Sequence, residues 1–159
     1  MEGYLVLMAE TAAQIDEPPT HIFLQAGVGG LAVACATYAR KVWGDAQTIV
    51  VVEPDAAPAI YASIEAGVPQ ETTGPVSEMG RLDCKEPSLI ALKGLARDAD
   101  AFMLITEDEG QRGSAAAAEA GFSSTPSGAA GFAGLLVAGQ AFGLSSSSHV
   151  LCILSEEAT

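Results

Sequence analysis

The sequence predicts an α/β fold, a three-layer sandwich in which a mainly parallel sheet is flanked by helices. Segments of strand length alternate with helical segments along the chain, as expected for a parallel sheet covered on both faces. The segment TIVVVEP (48–54) is a run of β-branched residues without polar alternation, which is typical of a strand buried on both faces. With 159 residues, 49% of them hydrophobic, the chain is long enough for one domain with its own core.

Predicted helices and strands alternate through the first 67 residues. Apolar residues at helical spacing predict the helices, and short continuous apolar runs predict the strands. In chain order, these elements are helix 6–15, strand 21–26, helix 31–42, strand 48–54 and helix 56–66. Two prolines follow the first helix, and Gly44 ends the second. Asp55 is placed to cap the third helix and Gly67 to end it.

Residues 68–87 contain three prolines and have no clear period, so they are predicted to form an irregular loop. The remaining elements, in order, are helix 89–97, strand 101–106, helix 114–120, helix 129–142 and strand 149–154. The acidic run 107–109 is typical of a helix start, because carboxylates are favoured at the positive end of the helix dipole. Helix 129–142 is apolar nearly all round, which predicts that it is buried.

The charge balance narrows the possible partners. The formal net charge is −13 and the sequence pI is about 4.2, so phosphate backbones and anionic lipid are repelled. No segment resembles a signal peptide, and the longest apolar stretch, 129–144, is too short and too mixed to span a membrane. The three cysteines are far apart and show no metal-ligand spacing. We expect a soluble, cytoplasmic protein without a metal site or a nucleic-acid or membrane partner.

A glycine-rich turn, 27–30, joins the strand 21–26 to the following helix, and three interpretations of it compete. The glycines can hold an anion at the helix N-terminus, as in a dinucleotide fold, where Gly27, Gly29 and Ala32 fit G-x-G-x-x-G/A and Glu53 would bind a ribose. They can instead serve only close packing of the helix on the sheet. The third interpretation is a cradle for pyridoxal phosphate.

That third interpretation depends on a resemblance carried by six segments that follow one another along the chain. These segments are EGYLVLMAE (2–10), PTHIFLQAGVGGLA (19–32), VVEPDAAPAIYAS (51–63), MGRLDCKEPS (79–88), TPSGAAGFAGLL (125–136) and VLCILSEEAT (150–159). In them the chain resembles the C-terminal part of the fold-type II, tryptophan synthase β-like, pyridoxal phosphate enzymes. Within that group it most resembles the diaminopropionate ammonia-lyases, followed by the threonine and serine dehydratases.

The resemblance implies a binding site for pyridoxal 5′-phosphate. Backbone N–H groups of the glycine loop would hold the cofactor phosphate, and Ser155, at the end of the last strand, would face the pyridine nitrogen. The implied loop residues are Gly27, Val28, Gly29, Gly30 and Leu31. A hydroxyl partner leaves the ring nitrogen largely unprotonated, which suits β-elimination.

The implied activity is β-elimination on 2,3-diaminopropionate or a related amino acid, giving a keto acid such as pyruvate and ammonia. A dehydratase-type lyase and a nucleotide-binding module without catalysis are the alternatives. The family's Schiff-base lysine belongs to the N-terminal part of the fold, and Lys41, Lys85 and Lys93 have the sequence contexts of surface lysines. Residues 1–159 are therefore expected to be the C-terminal, cofactor-binding portion of such an enzyme, a fragment that starts at an internal methionine, is inactive alone and forms a homodimer.

Overall fold

The computed structural model describes residues 2–157 and has the predicted α/β architecture. The expectation about Met1 lies outside the described residues. The helices are α1 (Glu2–Gln14), α2 (Gly30–Trp43), α3 (Ala59–Ala66), α4 (Leu89–Asp98), α5 (Glu107–Glu119) and α6 (Ala130–Ala138), with a 3-10 turn at Ala141–Gly143. The strands are β1 (His21–Gln25), β2 (Thr48–Pro54), β3 (Ala101–Ile105) and β4 (Val150–Cys152).

All strand pairs in the sheet are parallel, and the strand order is β3-β2-β1-β4. The strand β1 therefore lies between β2 and β4, with His21 level with Thr48 on one side and with Val150 on the other. Every residue of β1 is buried, which explains its run of apolar side chains without alternation. This topology places the carboxyl ends of β1 and β4 side by side.

Helices cover both faces of the sheet, which confirms the three-layer prediction. One face packs residues such as Ile22 and Val51 against α1, α2, α3 and α4. The other face packs residues such as Phe23 and Val52 against α6, on which α5 lies. None of the helices in the described part of the chain is both long and apolar enough to cross a membrane.

The start of α3 differs from the prediction. The helix begins at Ala59 rather than at residue 56, and Asp55 is not its cap. The buried carboxylate of Glu53 instead accepts hydrogen bonds from the backbone N–H groups of Ile60 (2.9 Å) and Tyr61 (2.7 Å). An acid at the end of β2 thus stabilises the positive end of the helix that follows it.

The last helices also differ in their bounds. Helix α5 starts at residue 107, not 114, because Thr106 and Glu109 form a capping box around its first turn. The acidic start predicted at 107–109 is confirmed. Helix α6 ends at Ala138, and Leu136 and Val137 near its C-terminal end are exposed, so the prediction of a buried helix through residue 142 is wrong for its second half.

Candidate functional site

The loop between β1 and α2 presents unpaired backbone donors. Gly29 adopts a φ of +92°, which only glycine adopts without strain and which lets the chain turn sharply into the helix. The N–H of Val33 bonds back to the carbonyl of Gly29 at 2.9 Å, so the N–H groups that precede it in the first turn have no partner within the helix. These donors, at the positive end of the dipole of α2, favour an anion.

Packing accounts for two of the loop glycines. A Cβ at Gly29 would lie 2.8 Å from Cδ1 of Ile60, and a Cβ at Gly27 would lie 3.0 Å from Sγ of Cys84. A side chain at Gly29 would collide with α3 and α4, and one at Gly27 would be tighter than an ordinary contact and would require Cys84 and its backbone neighbours to shift. Packing therefore favours glycine at these two positions, although the neighbours belong to α3, α4 and the loop before α4 and not to the sheet.

Gly30 is different, because neither packing nor backbone strain requires a glycine there. Its φ is not positive, and a Cβ would meet nothing closer than Cε2 of Tyr4, at 4.0 Å. The missing side chain opens space directly in front of the first turn of α2. A ligand that approaches the backbone N–H groups would use that space.

The space in front of Gly30 is part of a cleft of about 330 Å³ at the carboxyl end of β1 and β4. The residues that line it are Tyr4, 25–31, Arg81, Leu82, Cys84, Ser155 and Glu156. All six predicted site residues, Gly27–Leu31 and Ser155, therefore face one cleft, although the loop and Ser155 are far apart in the sequence. The carboxyl ends of parallel strands are the usual position of ligand sites in such sheets.

Several hydrogen bonds hold the backbone after β4 against the cleft. The N–H of Ser155 donates to the carbonyl of Gly128 at 3.3 Å, and the hydroxyl of Ser124 donates to the carbonyl of Glu156 at 2.8 Å. The Thr125 hydroxyl donates to the carboxylate of Glu156, and Arg81 lies on its other side, with Nε 3.5 Å from Oε1. The hydroxyl of Ser155 is exposed to the cleft, while the backbone on either side of it is held in place.

Comparison with known proteins identifies the family of the chain that forms this cleft. The family model for pyridoxal-phosphate dependent enzymes matches residues 1–156. The chain belongs to this family. Its tryptophan synthase β-like fold agrees with the solved structures that it resembles, and the cofactor of the family is pyridoxal phosphate.

Curated relatives with 34–37% sequence identity are diaminopropionate ammonia-lyases. The diaminopropionate ammonia-lyase of Salmonella typhimurium is 37% identical over 99 residues, which are 57% of this chain and 24% of that protein. The solved structure of the Escherichia coli diaminopropionate ammonia-lyase superimposes with a TM-score of 0.87 and 26% identity, covering 98% of this chain and 44% of that one. Threonine deaminase isoform 2 of Solanum lycopersicum shares the fold, with a TM-score of 0.88 and 18% identity over 99% of this chain and 45% of that one. The chain thus spans about a quarter of the curated relative from Salmonella and less than half of these two structures.

The residues of the cleft fit the phosphate and the ring nitrogen of the family's cofactor. Gly30 leaves room for a group to approach the N–H donors of α2, as a phosphate requires. The Ser155 hydroxyl, which lines the same cleft, is a neutral group that can donate to a pyridine nitrogen. The hydrogen-bond donors of the cleft and the open space at Gly30 are therefore compatible with the cofactor of the family.

The lysines of the described chain lie outside this cleft. Lys41 and Lys93 are exposed on helices. The Nζ of Lys85 donates to the carbonyls of Ala56 (2.7 Å) and Pro75 (2.8 Å) and to the carboxylate of Asp83 (2.7 Å), which ties the irregular loop together. Lys85 is thus a structural residue rather than the exposed surface lysine suggested by its sequence context.

Burial raises the pKa of two groups near the glycine loop, Glu53 and Cys84, of which Cys84 lines the cleft. Removal from water raises the pKa of Glu53 to about 7, although the two N–H groups of α3 lower it in part. Glu53 is only 1% exposed, does not line the cleft and directs both carboxylate oxygens at α3, so it is not placed to bind the ribose of a dinucleotide there. Burial also raises the pKa of the Cys84 thiol, so this thiol is not activated by its charged neighbours.

Gln25 and Tyr4 are among the cleft residues that sequence reasoning missed. Gln25 lies within an apolar strand, and its side chain reaches the cleft only because β4 pairs with β1. Tyr4 reaches the cleft from α1. This helix lies beside the loop only because it packs against α2, which no local sequence pattern indicates. In both cases the informative signal is a three-dimensional neighbour and not a local motif.

Proposed function

We propose that this chain forms the phosphate-binding and ring-nitrogen side of the cofactor site of a pyridoxal phosphate-dependent ammonia-lyase. The observation that carries the proposal is that the loop 27–31 and Ser155 line one cleft. Membership of the family and identity of 34–37% with diaminopropionate ammonia-lyases support it. The substrate class is a small amino acid, 2,3-diaminopropionate or a close relative.

Two groups of this chain have distinct roles in the proposal. The N–H groups of Gly27–Leu31 bind the phosphate dianion and fix the position of the cofactor, with the dipole of α2 adding to the attraction. The Ser155 hydroxyl donates to the ring nitrogen and, unlike a carboxylate, does not stabilise its protonated form. When bound, pyridoxal phosphate supplies the electron sink that stabilises negative charge at the substrate α-carbon.

The proposed reaction removes the α-proton and the β-amino group of the substrate, and the products after hydrolysis are pyruvate and ammonia. We expect the 159-residue chain alone not to catalyse it, because the described lysines lie outside the cleft and covalent catalysis needs a lysine beside the cofactor. The purified chain, given pyridoxal phosphate and 2,3-diaminopropionate, should release no ammonia. Release at an enzyme-like rate would contradict this expectation.

Cofactor binding is tested with pyridoxine 5′-phosphate, which keeps the phosphate and the pyridine nitrogen but has no aldehyde. This probe cannot form imines with exposed lysines such as Lys41 or Lys93, so calorimetry reports only the non-covalent site. We expect saturable binding of pyridoxine 5′-phosphate and weaker binding of inorganic phosphate. Absence of binding for both probes would refute the proposed site.

The substrate is tested with a chimera, in which residues 2–157 replace the corresponding segment of the Escherichia coli diaminopropionate ammonia-lyase. The overall superposition makes this exchange feasible. Ammonia release from 2,3-diaminopropionate in preference to threonine and serine would support the proposal. Preference for threonine or serine would instead favour the dehydratase alternative.

We also propose that the chain associates as a homodimer. Large apolar side chains are exposed on α1 and α4, with Val6, Leu89 and Ile90 each more than half accessible to solvent. Exposed large apolar side chains on neighbouring helices are typical of interaction sites. Light scattering over a concentration series should show a dimer, and a monomer at all concentrations would contradict the proposal.

A further inference from the structure

The side chain of Gln25 lies at the junction of three segments that build the cleft. Gln25 is the last residue of β1 and is only 3% exposed. Its Nε2 lies 3.0 Å from the carbonyl oxygen of Gly128, 2.9 Å from that of Ile153 and 3.0 Å from Oγ of Ser155. One amide group therefore connects β1, the turn before α6 and the segment that carries Ser155.

The orientation of this amide is determined by its neighbours. Carbonyl oxygens only accept hydrogen bonds, so the group that faces Gly128 and Ile153 must be the NH₂. The opposite atom, Oε1, is fully buried without a hydrogen-bond partner among the described residues, and a Cβ at Gly131 would lie 2.9 Å from it. A flipped amide would place an oxygen against two carbonyl oxygens, which is unfavourable.

The orientation of Gln25 determines which way the Ser155 hydroxyl can donate. Nε2 has no lone pair available to accept a hydrogen bond, so the Ser155 hydroxyl cannot donate to it. The two hydrogens of Nε2 are shared among three oxygens, and Oγ of Ser155 accepts from one of them together with a carbonyl. The hydroxyl hydrogen of Ser155 must then point elsewhere, and the described residues offer it no acceptor. Because Ser155 lines the cleft, the open direction leads into the cleft.

We infer that Gln25 is a positioning residue, which fixes the Ser155 hydroxyl as a hydrogen-bond donor toward the cleft and thereby selects a pyridine ring with an unprotonated nitrogen. The inference rests on the proposed function, because it assumes that the ring nitrogen faces Ser155. The role assigned to Gln25 depends on its contacts with Gly128, Ile153 and Ser155, and neither the glycine loop nor the final strand alone indicates it.

The test compares two probes on four variants by calorimetry. Pyridoxine 5′-phosphate contacts both the loop and Ser155, whereas inorganic phosphate contacts the loop alone. The variants are Gln25→Met, Ser155→Ala, the double variant, and Gln47→Met as a control. Gln47 is a buried glutamine at the other end of the sheet, with Nε2 3.4 Å from the carbonyl of Trp43.

Gln25→Met and Ser155→Ala should each weaken pyridoxine 5′-phosphate binding about fivefold, as expected for the loss of one net hydrogen bond. Inorganic phosphate binding should change less than twofold, and the double variant should bind no more weakly than Ser155→Ala. Gln47→Met should leave both affinities unchanged.

Three results would overturn the inference: unchanged pyridoxine 5′-phosphate binding in Gln25→Met, an equal loss for both probes, or additive losses in the double variant. If these occur while the unaltered chain binds both probes, the proposed function stands and only the role of Gln25 fails. If the unaltered chain binds neither probe, both fail.

A measurement on the unaltered chain covers the case in which Gln25→Met does not fold. By NMR, the side-chain NH₂ of Gln25 should exchange slowly with solvent and shift when pyridoxine 5′-phosphate is added. Inorganic phosphate should shift it much less. Rapid exchange, or equal shifts with the two probes, would overturn the inference.

Discussion

Replacement of Gly30 by alanine should separate ligand binding from stability, because the two effects have opposite signs. An added Cβ meets only the Tyr4 ring, at 4.0 Å, so the fold accepts it without collision. Gly30 is the first residue of α2 and has no positive φ, so alanine should stabilise the fold by restricting the unfolded chain. The expected gain is about 0.4–1 kcal/mol, equivalent to about 1–4 °C in Tm.

The same methyl group occupies the space through which an anion approaches the first turn of α2. If it displaces the phosphate from one N–H donor, the loss is that of one hydrogen bond to a charged group, about 1.5–3 kcal/mol. This corresponds to a Kd that rises by about 10- to 150-fold. Calorimetry with pyridoxine 5′-phosphate and with inorganic phosphate should show the loss for both probes.

Gly3→Ala is the matched control, because Gly3 also lies in the first turn of a helix and a Cβ there meets nothing within 4 Å. This variant should gain similar stability and bind both probes normally. A Gly30→Ala protein that is more stable but binds both probes as before would refute the assignment of the loop as an anion site. A Gly30→Ala protein that is less stable would show that the space in front of the helix is not free.

Three further predictions concern the support of the cleft. Gly29→Ala, which forces a Cβ residue into a φ of +92° and against Ile60, should cost about 1–3 kcal/mol by thermal unfolding, and an unchanged Tm would contradict the described turn. The pKa of Glu53 is raised from 4.5 to about 7, so its folded form binds the proton more tightly, and its contribution to stability should be lost as pH rises from about 4.5 to 7. Glu53→Gln should therefore show a smaller decrease of unfolding free energy over this range than the unaltered chain, and an equal decrease would argue against the raised pKa. Thr125→Val removes the acceptor of the Gly128 N–H (3.0 Å) and a donor to the carboxylate of Glu156. The free energy of unfolding should fall by about 1 kcal/mol, and the backbone N–H of Ser155 should exchange faster with solvent. Unchanged exchange would show that Thr125 does not hold this segment in place.

Those parts of the site that depend on local chemistry could be predicted from the sequence. The turn 27–30 follows an apolar strand and precedes a helix, which predicts backbone N–H donors at a helix N-terminus but leaves anion binding and close packing as competing interpretations. The pairing of this loop with Ser155 came instead from resemblance, because no local pattern connects residues so far apart. In the structure both line one cleft, and their shared role in cofactor binding stays a prediction.

Other features could not be predicted because they arise from tertiary contacts. The sequence favours Asp55 as the cap of α3, since it stands directly before the predicted helix. The first N–H groups of α3 instead donate to the carboxylate of Glu53, which lies further back in the chain. In the sequence, Gln25 is an ordinary polar residue at the end of a strand. Its contacts with the turn at Gly128 and with Ser155 after β4 exist only in the folded chain. The distinction between Gly29 and Gly30 likewise depends on which neighbours lie within reach of a Cβ.

The pairing of β4 with β1 also affects the order in which the cleft can form during folding. Gln25 and Ser155 are 130 positions apart, whereas β1, α2 and β2 are consecutive in the chain. A chain synthesised from its N-terminus can therefore close the glycine loop early, but it acquires the Ser155 hydroxyl only after nearly all other elements exist. Closing so long a loop is slow compared with local pairing, so the attachment of β4 is expected among the late steps. A ligand that needs both sides of the cleft would then bind only chains that have finished folding.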